Sequence, residues 1–137
     1  MSTSSNSRRL RFDRAEVSEG EPGQCRVRVT LELGGTRFEA DASDSADGVG
    51  PLKAAAAAAL KAVQEAAANR FTCSLSDLDH VNALGKDLIA VLVDTRFETR
   101  NVEVFGSCPI SGSTIDCAVR AALNATNRVF ELAIREE

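Results

Sequence analysis

Cys25-Arg26-Val27-Arg28-Val29-Thr30-Leu31-Glu32-Leu33, then Gly34-Gly35, then Thr36-Arg37-Phe38-Glu39-Ala40-Asp41-Ala42, is the stretch on which the fold turns. Cys25, Val27, Val29, Leu31 and Leu33 share one parity, and Arg26, Arg28, Thr30 and Glu32 share the other. That period of two belongs to a strand with one buried and one wet face. The glycine pair supplies a tight turn, and Phe38, Ala40 and Ala42 then point inward against outward Arg37, Glu39 and Asp41, so the stretch reads as a hairpin. Upstream, Leu10, Phe12, Ala15 and Val17 predict a first strand with Arg9, Arg11 and Asp13 outside, closed by the turn Ser18-Glu19-Gly20-Glu21-Pro22-Gly23.

Downstream, Asp44 to Gly50 is polar, and Gly50-Pro51 opens a helix, because proline at the first helical position loses no hydrogen bond. Leu52, Ala56, Ala59, Leu60, Val63 and Ala67 form its predicted buried stripe, and the alanine run 54–59 is a smooth surface for close packing. Residues 71–84 show a mixed pattern without clear strand limits. Leu88-Ile89-Ala90-Val91-Leu92-Val93 is apolar on both parities, which predicts a strand covered on both faces. Val102 and Val104, with Phe105 opposite, predict a last strand, and Gly106 to Gly112 reads as a loop. A second helix is expected from Ser113 to about Leu132, with Ser113 as N-cap and Asp116 in the capping-box position. Its stripe is Ile115, Val119, Ala122, Thr126, Val129 and Phe130.

Shifting the chain by about 63 residues lays Pro51-Leu52 on Thr114-Ile115 and Ala59-Leu60 on Ala122-Leu123, and the preceding strands match after a one-residue slip. The expected fold is α+β: two βββα units in tandem, residues 8–69 and 70–137, after a disordered leader 1–7. Units of this size are marginal alone, so the halves should share an interface. The strand 88–93 is the expected place for it, or for a second chain.

The chain has 137 residues and a formal net charge of −4, with only three lysines, at 53, 61 and 86. Nucleic-acid binding is not expected, since phosphate neutralisation needs clustered cations and base stacking needs aromatic platforms, and Trp and Tyr are absent. The mixed charges around Arg8, Arg9, Arg11 and Arg14 read as a solvated sheet face. No run reaches ~20 apolar residues, so no membrane association is expected and a cytoplasmic location is. Cys25, Cys73, Cys108 and Cys117 form no Cys-x-x-Cys pair, and His80 stands alone, so neither a metal nor another cofactor is expected. A reactive thiol at Cys108 or Cys117, beside a helix start, is the enzymatic alternative.

Gly48-Val49-Gly50-Pro51-Leu52-Lys53-Ala54 resembles the Gly-x-Gly-Pro-Val-Asp-Ala stretch of the C-terminal regulatory domain of the 2-isopropylmalate synthase and citramalate synthase family. Ala122-Leu123-Asn124-Ala125-Thr126-Asn127-Arg128 is similar to that domain's closing helix, and the likeness runs over about residues 25–130. Where the family has Asp the chain has Lys53, which suits an acid, and the family's Ala-Ser pair is Ala118-Val119. The resemblance implies no enzyme activity of its own. It implies a homodimer that binds a branched-chain amino acid or related acid as a signal, in trans to a partner enzyme. The contacts that it implies are Gly48, Gly50, Pro51 and Leu52 in the first unit, with Gly112, Ser113, Thr114 and Ile115 in the second. A protein-interaction scaffold without a ligand is the alternative.

Overall fold

In the computed structural model, which describes residues 9–135, the order is β1 (Leu10–Glu19), β2 (Gln24–Leu33), β3 (Thr36–Ser45), α1 (Gly50–Ala66), β4 (Phe71–Ala83), β5 (Lys86–Phe97), β6 (Arg100–Pro109) and α2 (Thr114–Arg135). Strands β1-β2-β3 form one antiparallel sheet and β4-β5-β6 another. The chain is therefore α+β, with two βββα units in tandem. The leader expected over residues 1–7 lies outside the described residues.

The repeat holds at the level of register. Val27 pairs with Ala42, and 64 residues later Val91 pairs with Gly106. In both sheets the inner parity of the middle strand is fully buried: Val27, Val29 and Leu31 in β2, and Ile89, Val91 and Val93 in β5. Each helix packs on its own sheet and the two helices pack on each other, while α1 also reaches β4 and α2 reaches β1. Helices thus make the middle of the molecule, and the outer face of each sheet points away from it.

This arrangement moves the contact between halves. It runs through α1 and α2, not through residues 88–93. Ala54, Ala55, Ala58 and Ala62 are buried as well as the predicted stripe, of which Leu52 alone is half-buried, because α1 is packed on two flanks. Alanine is the side chain that lets a helix approach a sheet and a second helix together. On β5, Ala90 is 9% exposed and Leu88 and Leu92 are half-buried, and no described element packs over them. The two-sided apolar pattern therefore marks one covered face and one open one.

Two bulges account for the irregular strand patterns. The register shifts between Phe12 and Arg14 in β1, and between Leu75 and Asp77 in β4. An extra residue resets the parity, so Phe12 and Ala15 face the same way, as do Leu75 and Leu78. Strand β6 runs on through Gly106 to Pro109 instead of ending in a loop. A Cβ at Gly106 would collide with the α2 backbone at Ala121 and Ala125, so this glycine is the place where β6 and α2 touch closely.

Candidate functional site

Both helices start at one cleft. Strand β3 ends beside the β1–β2 turn and leads directly into α1, which puts the first turn of α1 next to that turn. The cleft, about 590 Å3, is bounded by Val17, Ser18 and Glu19 of β1 and by Gln24 and Cys25 of β2. Ala46, Gly48, Pro51 and Leu52 close a second side, and Thr114 and Ile115 of α2 close the third. Its volume lies within the ~300–1,000 Å3 usual for small-molecule sites.

Of the eight residues expected to bind, five line this cleft: Gly48, Pro51, Leu52, Thr114 and Ile115. The other three support it. Gly50 is buried against the Ser45 backbone, where a Cβ would not fit. Gly112 takes a φ of +80°, the left-handed turn that delivers the chain to α2. Ser113 caps α2: its Oγ accepts from the Asp116 N–H at 3.2 Å and its carbonyl accepts from the Cys117 N–H at 3.1 Å. Helix α1 has Val49 at its cap position with no side-chain bond, and proline in its first turn instead.

The lining combines helix-start amides, one carboxylate, one amide and an apolar wall. Leu52, Thr114 and Ile115 lie in first helical turns, where amide N–H groups have no acceptor within the helix and the dipole favours an anion. Glu19 contributes the one carboxylate of the lining, and Gln24 an amide. Val17, Pro51, Leu52 and Ile115 offer an apolar wall. Lys53 does not line it. Sequence reasoning missed the β1–β2 rim, including Glu19. The available signal was topological: in a three-strand meander the first turn lies at the end where the third strand leaves.

Cys25 is the thiol of the lining and stands opposite Glu19 in the β1–β2 register. His80 is exposed on β4, with Nε2 3.8 Å from Asp87 Oδ1, and is not part of the lining. Among the described residues no group of three or more His, Cys, Asp or Glu is placed to hold a metal. A second hollow of about 430 Å3 lies on β4–β6, among Ser74, Asp94, Arg96, Asn101 and Glu103. It belongs to one unit only and is reached by neither helix start. Among the described residues, no helix is long and apolar enough to cross a membrane. The chain matches no protein-family model and no curated protein.

Proposed function

We propose that the chain is a non-catalytic, cytoplasmic regulatory module that binds an amino-acid-like metabolite, a branched-chain amino acid or related acid, in the cleft between the two helix starts. It works as a homodimer or in trans on a partner enzyme, in the manner of the synthase regulatory domains that it resembles. The observation that carries this reading is convergence: Gly48, Pro51 and Leu52 from one unit and Thr114 and Ile115 from the other line one cavity. The ligand carboxylate meets the first-turn N–H groups, an ammonium group meets Glu19, and an aliphatic side chain lies against Val17, Leu52 and Ile115.

Calorimetric titration with leucine, isoleucine, valine and their keto and hydroxy acids tests this directly. The expected result is saturable heat at millimolar ligand or below, together with a raised melting temperature. Glu19→Gln should weaken the amino acids about tenfold, the worth of one charge-assisted hydrogen bond, and leave the keto acids unchanged. Absence of heat and of any thermal shift at millimolar concentration overturns the reading.

One observation favours a second reading, an oligomerisation scaffold. Phe105 is 69% exposed on the outer face of β6, opposite half-buried Leu92. Light scattering before and after Phe105→Ser, taken with the titration, separates the two: an oligomer lost on substitution in a chain that gives no ligand heat supports the scaffold, and a monomer in both samples dismisses it.

A further inference from the structure

Four cysteines are free, and two of them meet. Cys108 is the next-to-last residue of β6 and Cys117 lies in the first turn of α2. The Cys117 Sγ is 3.1 Å from the Cys108 carbonyl oxygen. Both sulfurs also share one acceptor, the Pro109 carbonyl, at 3.4 Å from Cys108 and 3.6 Å from Cys117. The shared carbonyl thus brings the two sulfurs to one spot between the end of β6 and the start of α2. Their environments differ: Cys108 is half-buried and open to reagent, while Cys117 is 3% exposed behind it. Cys25 and Cys73 are not arranged in this way. Cys73 contacts the Leu60 carbonyl at 3.6 Å, and Cys25 lines the cleft.

We infer that Cys108 and Cys117 form a reversible redox pair, closing a disulfide that ties the first turn of α2 to the end of β6. Cys108 is the attacking group and Cys117 the resolving one. The Cys108 thiolate attacks a low-molecular-weight disulfide such as oxidised glutathione, breaks its S–S bond, and expels one glutathione thiolate, which takes up a proton. Cys117 then gives up its proton to solvent, and its sulfur attacks Cys108 Sγ in the mixed disulfide and expels the second glutathione. Two protein thiols are oxidised and one glutathione disulfide is reduced to two thiols. Burial, with the Cys108 thiol beside it, pushes Cys117 up to about 11, so the second step quickens as pH rises.

Thr114 lies three residues before Cys117 and lines the cleft, so the bond would fix one wall of the candidate site. The thiol chemistry itself stands whether or not the cleft takes a ligand. Sequence makes the assay simple, because trypsin leaves both cysteines in one peptide, residues 101–120, while Cys25 falls in 15–26 and Cys73 in 71–86. The folded full chain is incubated with oxidised glutathione, alkylated without reductant, digested and weighed. The expected result is a 101–120 peptide lighter by two hydrogens and unalkylated, with 15–26 and 71–86 both alkylated. Cys117→Ser should stop at one glutathione on Cys108, and Cys108→Ser should leave Cys117 a thiol. In the oxidised protein, amide exchange over residues 114–118 should slow at least tenfold. The inference is overturned if 101–120 keeps two alkylatable thiols under conditions that oxidise dithiothreitol. It is equally overturned if wild-type protein stops at the mixed disulfide, or if the bond links two chains.

Discussion

The two βββα units share strand register and helix placement, yet solve three local problems differently. Where β3 has Ala42 facing α1, β6 has Gly106 facing α2, at the same place in the register. Where α1 begins on proline without a side-chain cap, α2 begins on a serine cap. On the outer faces the contrast is larger. The first sheet sets Arg26 and Arg28 against Asp41, at 3.7 and 3.9 Å. The second sheet places Leu88, Ala90, Leu92 and Phe105 outward, beside Asp77, Asp79, Asp94 and Glu103. The inner positions of both middle strands are apolar and buried beneath the helices, whereas the outer faces are covered unevenly, with Thr30 buried and Phe105 69% exposed. The contrast between the units is therefore widest where the helices do not reach.

The largest expected effect breaks the symmetry at its tightest point. Gly106→Ala drives a Cβ into the backbone of Ala121 and Ala125, and backbone cannot rotate away as a side chain would. The loss should reach about 3 kcal/mol or more in urea denaturation. The reciprocal Ala42→Gly removes one methyl from a half-buried position and should cost only about 1 kcal/mol. Equal losses at the two positions would mean that α1 and α2 stand equally close to their sheets.

Much of this is legible in the sequence. Period two from Cys25 to Ala42 and the Gly50-Pro51 helix start are local signals, and local signals repeat when the unit repeats. What was hidden depends on the third dimension. Each bulge inserts a residue into its parity and blurs the strand. Gly106 reads as a breaker because a sequence does not show the helix lying over it. Residues 88–93 announce two apolar faces but not which of them is covered. At the cleft, Pro51, Leu52, Thr114 and Ile115 are residues that the resemblance names and that line the cavity, while Glu19 joins them only because the meander's turn lies beside the helix starts.

A middle-sized effect should appear in alkali, and both groups responsible sit in the second unit. Burial pushes Cys73 up to about 12 and Cys117 up to about 11, from an ordinary thiol value of 9.0. Below pH 9 folded and unfolded chains hold these protons alike, so stability is complete. Above it the unfolded chain releases them first, and stability falls by at most about 1.4 kcal/mol per pH unit for each thiol. The fall should end once pH passes the folded values. Urea midpoints at pH 8 and pH 10 measure it, and Cys73→Ser should flatten the slope by about half. A slope unchanged in both Cys73→Ser and Cys117→Ser would assign alkaline loss elsewhere. Exchange mapped at pH 10 should show β4 and the start of α2 loosening before β1–β3.

The smallest effect tests whether the outer faces carry any stability. Asp94 stands directly opposite Glu103, and like charges facing each other across a ladder are unfavourable. The same two register positions in the first sheet hold Thr30 and Glu39, where the Thr30 hydroxyl donates to Glu39 Oε2 at 3.5 Å. Asp94→Thr copies that solution into the second sheet. It removes one charge of the opposed pair and adds a β-branched side chain on a middle strand, so a gain of about 0.5 kcal/mol is expected. The gain should shrink in high salt, because the repulsion between exposed carboxylates is screened. A gain that persists at 1 M salt would assign it to strand propensity rather than charge. A loss would mean that Asp94 holds an interaction in the β4–β6 hollow worth more than the repulsion.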